Sequence, residues 1–271
     1  MTAVDSPQVD ITRPSVARVY DAGLGGKDNY EVDRAVLRAI LAASPDAMVA
    51  ARDNREWLIR ITRFLAGQAG ITQFLDCGSG LPTAENTHQV AQRLNPEATV
   101  VYVDNDPIVL AHGRAILAEN DRTHLVSADL TQPDALLAHA DVRRYLDFSQ
   151  PVALYQIGTL HHCPDPDEVR AFMRTYVDAL APGSYVAISH FHNPGSGEDS
   201  AAAQRMQALM SGGPMGSGYF RTSDEIGTFF AGCEVLAPGI VPASEWWPDG
   251  PRMKPLVRPQ RLFVAGLARK T

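Results

Sequence analysis

The sequence predicts an α/β protein: a mostly parallel sheet with helices on both faces, preceded by an N-terminal helical cap. Three observations carry that reading. From residue 71 onward, short apolar runs alternate with helical patterns, the rhythm of strand–helix–strand units. Two of those helices open with a capping residue and a proline, at Asp106-Pro107 and Asp165-Pro166. The first 70 residues, after a polar start, read as helices.

Taken in order, residues 1–13 are polar and read as a flexible start that lacks the apolar core of a secretion signal. Pro14–Tyr20 is expected as a short helix, followed by the glycine-rich turn Gly23–Gly26. Glu31–Ala43 places Val32, Val36, Ala39 and Ile40 at helical spacing. Ser44-Pro45 reads as an N-cap with proline in the first turn, opening a helix that runs to about Ala66 and is ended by Gly67. Strands follow at Ile71–Leu75, Thr99–Val103, Thr123–Val126, Val152–Ile157 and Tyr185–Ser189. Between them the spacing predicts helices over 84–94, 107–119, 133–146 and 166–180. Beyond residue 190 come a helix near 199–210, a glycine-rich loop and a helix from Ser223. Glu234–Leu236 and Arg261–Leu267 then read as strands able to close the sheet as an antiparallel hairpin, joined by a long loop holding Trp246 and Trp247. The expected organisation is one domain, with a cap over 14–70 and a core over 71–271.

Composition narrows the function classes. With 24 basic and 31 acidic residues the net charge is −7, and no basic stripe stands out. Phosphate neutralisation drives nucleic-acid affinity, so nucleic acid is not the expected partner. The three cysteines, Cys77, Cys163 and Cys233, form no CxxC pair or disulfide framework, as suits a reducing cytoplasm. No apolar stretch approaches a membrane span. The expectation is a cytoplasmic protein with a small-molecule partner.

The sharpest motif is Phe74-Leu75-Asp76-Cys77-Gly78-Ser79-Gly80, where the first strand gives way to a helix. Its glycines permit a tight turn and close approach of backbone to ligand. A dinucleotide-binding turn requires a third glycine, but Thr83 stands at that position with Pro82 before it. Asp76 puts a carboxylate ahead of the glycines, which suits a cationic amino group better than a phosphate. S-adenosylmethionine, through its methionine end, is such a ligand. Asp104 ends the second strand, where a carboxylate can accept both hydroxyls of a ribose. Asp129 ends the third, placed to receive an adenine amino group. The competing reading is that Asp104 and Asp129 merely cap the following helices. A phosphate loop at Gly23–Lys27 fails on spacing, with Asp21 where its first glycine belongs and Asp28 in place of the hydroxyl residue.

These residues resemble the class I S-adenosylmethionine-dependent methyltransferases, and more narrowly the actinobacterial S-adenosyl methyltransferase family, once catalogued only as a domain of unknown function. The likeness covers nearly the whole chain, through Arg13–Tyr20, Gly25–Tyr30, Asn54-Arg55, Phe74–Thr83 and Val101–Pro107. It implies a Rossmann-like sheet of seven strands and S-adenosylmethionine as cofactor. It places Asp76, Gly78, Ser79 and Gly80 around the methionine end, Asp104 at the ribose and Asp129 beside the adenine, with Asn105 and Leu130 as further cofactor-binding residues. It also implies that Asn29 and Tyr30 help to cover the cofactor. The implied activity is methyl transfer to a small-molecule acceptor. A non-catalytic cofactor-binding regulator and an NAD(P)-dependent oxidoreductase are the alternatives.

Four histidines follow the fourth and fifth strands: His161, His162, His190 and His192. If the acceptor must lose a proton, His161 and His190 are the candidate bases, since imidazole is the commonest general base. A zinc site with Cys163 is the competing assignment, but no familiar ligand spacing is present, so no metal is expected. For any single histidine, a hydrogen-bonded loop role is the simplest alternative. Trp246 and Trp247 either line an acceptor pocket or pin their loop to the sheet, and packing is favoured.

Overall fold

The computed structural model describes residues 9–82, 85–117 and 121–271. The N-terminal residues 1–8, Thr83, and the ends of two expected helices at 84 and 118–119 lie outside the described residues. Val9 is not loose: it packs with Ala17 against Leu81, Ile108 and Val109.

The helices are α1 (Val16–Gly23), α2 (Glu31–Ala43), α3 (Ala47–Gly67), α4 (Thr87–Leu94), α5 (Pro107–Leu117), α6 (Pro133–Leu137), α7 (Ala140–Tyr145), α8 (Pro166–Ala179), α9 (Gly197–Ser211), α10 (Ser223–Gly227) and α11 (Arg258–Arg261). The strands are β1 (Gln73–Cys77), β2 (Thr99–Asp104), β3 (Thr123–Ser127), β4 (Ala153–Ile157), β5 (Tyr185–Phe191), β6 (Cys233–Val235), β7 (Val241–Pro242) and β8 (Phe263–Lys270). They form one sheet in the order β3-β2-β1-β4-β5-β8-β6, with β7 also paired to β8. The first five strands run parallel to their neighbours, and β8 is antiparallel to β5, β6 and β7. The expected β6–β8 pairing is present, and the sheet has eight strands instead of seven. The addition is the two-residue β7, too short for a period-2 pattern to reveal.

Both faces of the sheet are covered, as alternation along the strands requires. Leu75, Cys77, Val101, Val103, Leu154 and Val186 join one core with α6–α8. Phe74, Val100, Tyr102, Ala153, Tyr155 and Ala187 join another with α3, α4 and Trp246. Trp246 is fully buried, donates from Nε1 to Gly239 O at 2.8 Å and meets Trp57 edge-on. Trp247 packs on Phe64. Both rings therefore pin the long loop, and neither lines the cavity described below.

Local chemistry moved several boundaries. The third helix begins at Ala47 with Asp46 as N-cap, because Ser44 ends α2 and closes a turn to Ala47. α4 begins at Thr87, since Asn86 and Gln89 form a reciprocal capping box. The helix expected over 133–146 is two helices. His139 adopts extended backbone angles and its ring accepts from Asp141 N, restarting the chain as α7. In the cap, buried Asp33 accepts from Arg18 Nε (2.9 Å), Tyr30 N (2.8 Å) and Ser15 N (3.0 Å), fixing α1 against α2.

Candidate active site

The chain runs β1, β2, β3 to one edge and then returns to place β4 beside β1. That reversal leaves a crevice at the carboxyl ends of the strands, where α/β sheets bind ligands. Here it opens into a cavity of about 1140 Å³, roofed by α1, the first half of α3 and α9.

The turn after β1 forms the cavity's sharpest wall. Gly78 and Gly80 have φ of 73° and 65°, the left-handed region that glycine tolerates. Gly78 N and Ser79 N donate to Val103 O at 2.7 and 3.2 Å, locking the turn against β2. A Cβ on Gly78 would lie 2.3 Å from Thr159 Cγ2, so the turn passes close beneath the loop after β4.

Asp76 and Asp104 both line the cavity. Asp76 is 5% exposed, and Thr87 Oγ1 donates to its Oδ2 at 2.7 Å. Burial raises its carboxyl to about 6, reinforced by Asp104 and opposed by Thr87 and Arg55. Asp104 accepts from Gly80 N on Oδ2 and Asp106 N on Oδ1, both at 2.9 Å, and burial raises its carboxyl too. Its two oxygens are thus held apart by the turn and retain lone pairs for a ligand. Asn105 and Leu130 also line the cavity. Asp129 does not: its Oδ1 accepts from Thr131 N and Oγ1, both at 2.8 Å, capping its own turn.

Asn29 and Tyr30 also stand outside the cavity wall. Asn29 Nδ2 donates to Asp21 Oδ2 and Gly26 O, and Tyr30 is the N-cap of α2. They brace the loop between α1 and α2, and the cover is supplied instead by Ser15, Val19 and Tyr20 of the first segment and Asn54 of α3.

The two histidine candidates part company. His161 lines the cavity, is 3% exposed and stacks on Phe191 at 3.8 Å. Its Nδ1 is buried without a partner, and burial, with His162, His190 and Arg221, keeps the ring well below its ordinary pKa and therefore neutral. His190 does not line the cavity, because it points to the opposite face of β5 from Phe191. Arg221 Nη1 donates to its Nε2 at 2.9 Å, so Nδ1 carries the proton donated to Phe191 O at 2.7 Å. Burial lowers it to about 3. Both nitrogens are committed, and His190 helps Arg221 clamp the loop after β4 through Leu160 O and Cys163 O. His162 lines the cavity with Nδ1 2.8 Å from Ser217 Oγ. Among the described residues no group of three or more His, Cys, Asp or Glu side chains is placed to hold a metal ion.

Arg55 carries no role in the sequence-based site, yet it lines the cavity and its charge acts on Asp76. Nη2 donates to Glu85 O and Asn86 Oδ1, both at 3.0 Å, while Nε is buried without a partner. The usable signal was a polar pair, Asn54-Arg55, on a helix otherwise apolar on that side. A buried carboxylate without an ion-pair partner, an orphaned guanidinium N–H and a glycine turn together fit an amino acid's ammonium and carboxylate.

The strand order is that of a doubly wound α/β sheet, and the comparisons with known proteins give its class, an S-adenosylmethionine-dependent methyltransferase. The chain belongs to the S-adenosyl methyltransferase family, whose model matches residues 2–271. A provisionally named S-adenosyl-L-methionine-dependent methyltransferase of Mycobacterium avium is 30% identical over 227 residues, 77% of this chain and 68% of that protein. A provisionally named methyltransferase of Thermobifida fusca superposes with a TM-score of 0.92 at 45% identity, covering 99% of both chains. A DUF574-family protein of Streptomyces avermitilis gives 0.90 at 36% identity, over 97% of this chain and 100% of that one. No helix among the described residues is long and apolar enough to cross a membrane.

Proposed function

We propose that this methyltransferase modifies a small molecule held in the same cavity as the cofactor, with His161 as proton acceptor. The carrying observation is the cavity itself. At about 1140 Å³ it exceeds the roughly 300–1,000 Å³ of ordinary small-molecule pockets. Among its polar lining residues are Asp76, Arg55 and Asp104, with Arg55 acting electrostatically on Asp76.

In this reading Asp76 holds the amino group of the cofactor's methionine moiety and Arg55 its carboxylate. Asp104 takes the ribose hydroxyls, the Gly78–Gly80 turn lets backbone approach, and Leu130 gives apolar contact to the base. Bound there, S-adenosylmethionine supplies an electrophilic methyl group. The cap residues Val19 and Tyr20 help to fix orientation, which by itself supplies much of the acceleration in a displacement reaction. Burial keeps His161 neutral, the form that accepts a proton, while the same burial weakens it as a base. The names of the relatives stop at the cofactor; the net charge of −7 and the absence of a basic stripe support a small acceptor over nucleic acid.

The test is transfer of isotope-labelled methyl groups from S-adenosylmethionine into fractionated cell extract. Label is expected in the small-molecule fraction. His161→Gln should slow that transfer about 10²-fold or more with the affinity for S-adenosylhomocysteine unchanged. Label confined to macromolecules, or full turnover by the variant, would overturn the respective half of the proposal.

A further inference from the structure

Asn54 lies on α3, lines the cavity and is 5% exposed, yet holding the cofactor does not call on its side chain. Its amide is oriented from both ends. Ser189 Oγ, buried on β5, donates to Oδ1 at 2.8 Å. At the other end Nδ2 donates to Tyr20 OH at 3.4 Å. That hydroxyl spends its own proton on Ala51 O at 3.0 Å, so it accepts from the amide and the nitrogen must face it. An asparagine nitrogen carries two hydrogens, and the second has no partner among the described residues.

Nδ2 lies beside Gly158, which follows β4 and has φ of 70°. A Cβ built on Gly158 would sit 3.5 Å from Asn54 Nδ2 and 3.9 Å from His161 Cε1. Any side chain there would stand between the amide and the imidazole, and all three residues line the cavity. Of the two ring nitrogens of His161, Nδ1 is shut off from solvent and unpartnered, which leaves Nε2 to face the cavity. Thr159, next in the chain, packs against Gly78 of the glycine turn. The point between Asn54 and His161 therefore adjoins the end of the cavity read as the cofactor's methionine site.

A donor N–H on one side and an imidazole lone pair on the other select the atom between them. Methyl transfer needs one lone pair for the methyl carbon, and His161 needs a proton to take. A hydroxyl oxygen offers one proton and two lone pairs, so it can also accept from Asn54. A neutral amine has a single lone pair, which the Asn54 N–H would block. A carboxylate has no proton for His161, and a thiol sulfur is a weak acceptor. We propose that the methyl acceptor is a hydroxyl compound, that Asn54 pins its oxygen beside His161, and that the product is a methyl ether. The inference rests on the reading of the β1–β2 end as the cofactor's and of His161 as proton acceptor. The oxygen's free lone pair forms the C–O bond as the methyl–sulfur bond breaks. The departing pair stays on sulfur as S-adenosylhomocysteine, and the hydroxyl proton passes to His161 Nε2.

The test incubates the full chain with the small-molecule fraction of cell extract and S-adenosylmethionine carrying an NMR-visible methyl carbon. The product's methyl signal is expected in the O-methyl range and should survive mild alkali, as an ether does and an ester does not. An N-, S- or C-methyl product, or a base-labile ester, overturns the hydroxyl assignment and leaves methyl transfer standing. Asn54→Ala should slow transfer about 10²-fold by misplacing the oxygen, with the affinity for S-adenosylhomocysteine unchanged by calorimetry. Ser189→Ala, which frees the amide to turn, should slow it about tenfold with the same unchanged affinity. It carries the same test should Asn54→Ala fail to fold. Undiminished transfer by these variants, or about a tenfold loss of S-adenosylhomocysteine affinity, overturns the role of Asn54. If no extract yields product, the crystal structure of the S-adenosylhomocysteine complex decides. An ordered water bonded to both Asn54 Nδ2 and His161 Nε2 is expected where the hydroxyl oxygen would sit, and its absence overturns the proposal. If S-adenosylhomocysteine does not bind the wild-type chain, the cofactor reading fails and this inference with it.

Discussion

Cofactor affinity is expected to depend on pH through Asp76. In the free protein, burial holds its carboxyl at about 6, against an ordinary value of 3.8. Between those values the folded chain binds more protons than the unfolded one, so stability falls as pH rises through that window. The penalty, about 3 kcal/mol, is fully present above it. An ammonium group requires the ionised carboxylate, which at pH 5 is roughly one-tenth populated and at pH 7.5 almost fully so. The affinity for S-adenosylhomocysteine should therefore fall about tenfold from pH 7.5 to pH 5, with proton release on binding near pH 6. His162, held at about 4 by burial, and His190, at about 3, stay neutral across that range. The assay is calorimetry in two buffers of different ionisation enthalpy, which counts the protons released. Asp76→Asn should lower affinity at pH 7.5, flatten the pH profile and raise the melting temperature of the free protein. Asp104, also raised by burial, titrates in the same direction, so Asp104→Asn separates the two contributions. A wild-type affinity that stays constant from pH 5 to 7.5 would refute the pairing of Asp76 with the amino group.

Two substitutions follow from the same geometry. Asp104→Ala removes the ribose acceptor and leaves Gly80 N and Asp106 N without their partner. The expected loss is about 1.5–3 kcal/mol of cofactor affinity, and an unchanged dissociation constant by calorimetry would break the assignment. His190→Ala takes away one of the two acceptors of Arg221 Nη1 in a buried setting. It should cost about 1–3 kcal/mol of stability in denaturant melts, whereas His161→Gln should leave melting nearly unchanged. Reduced turnover by His190→Ala with undiminished stability would restore it as a base candidate.

What the sequence revealed follows from how local each signal is. The β1 and β2 runs, with Asp76 and Asp104 at their ends, are contiguous, so chain order alone delivers them to the same sheet edge. The two histidines were indistinguishable by residue type, but strand alternation separates them. Ser189 and Phe191 face the cap, where Ser189 Oγ meets Asn54 Oδ1 at 2.8 Å, while His190 between them faces Arg221. Arg55 and Asn54 stayed hidden for another reason. Their meaning depends on which strands α3 overlies, a tertiary fact that helical spacing does not encode. Asn29 shows the converse: a polar residue in a distinctive motif whose hydrogen bonds are spent on its own loop.

The most direct measurement of the central claim is the crystal structure of the S-adenosylhomocysteine complex. The account predicts the amino group within hydrogen-bond distance of Asp76, the carboxylate at Arg55 and both ribose hydroxyls at Asp104. The space between Asn54 and His161 should stay clear of the ligand. A ligand bound with its methionine end away from Asp76 and Arg55, or lying between Asn54 and His161, would contradict it.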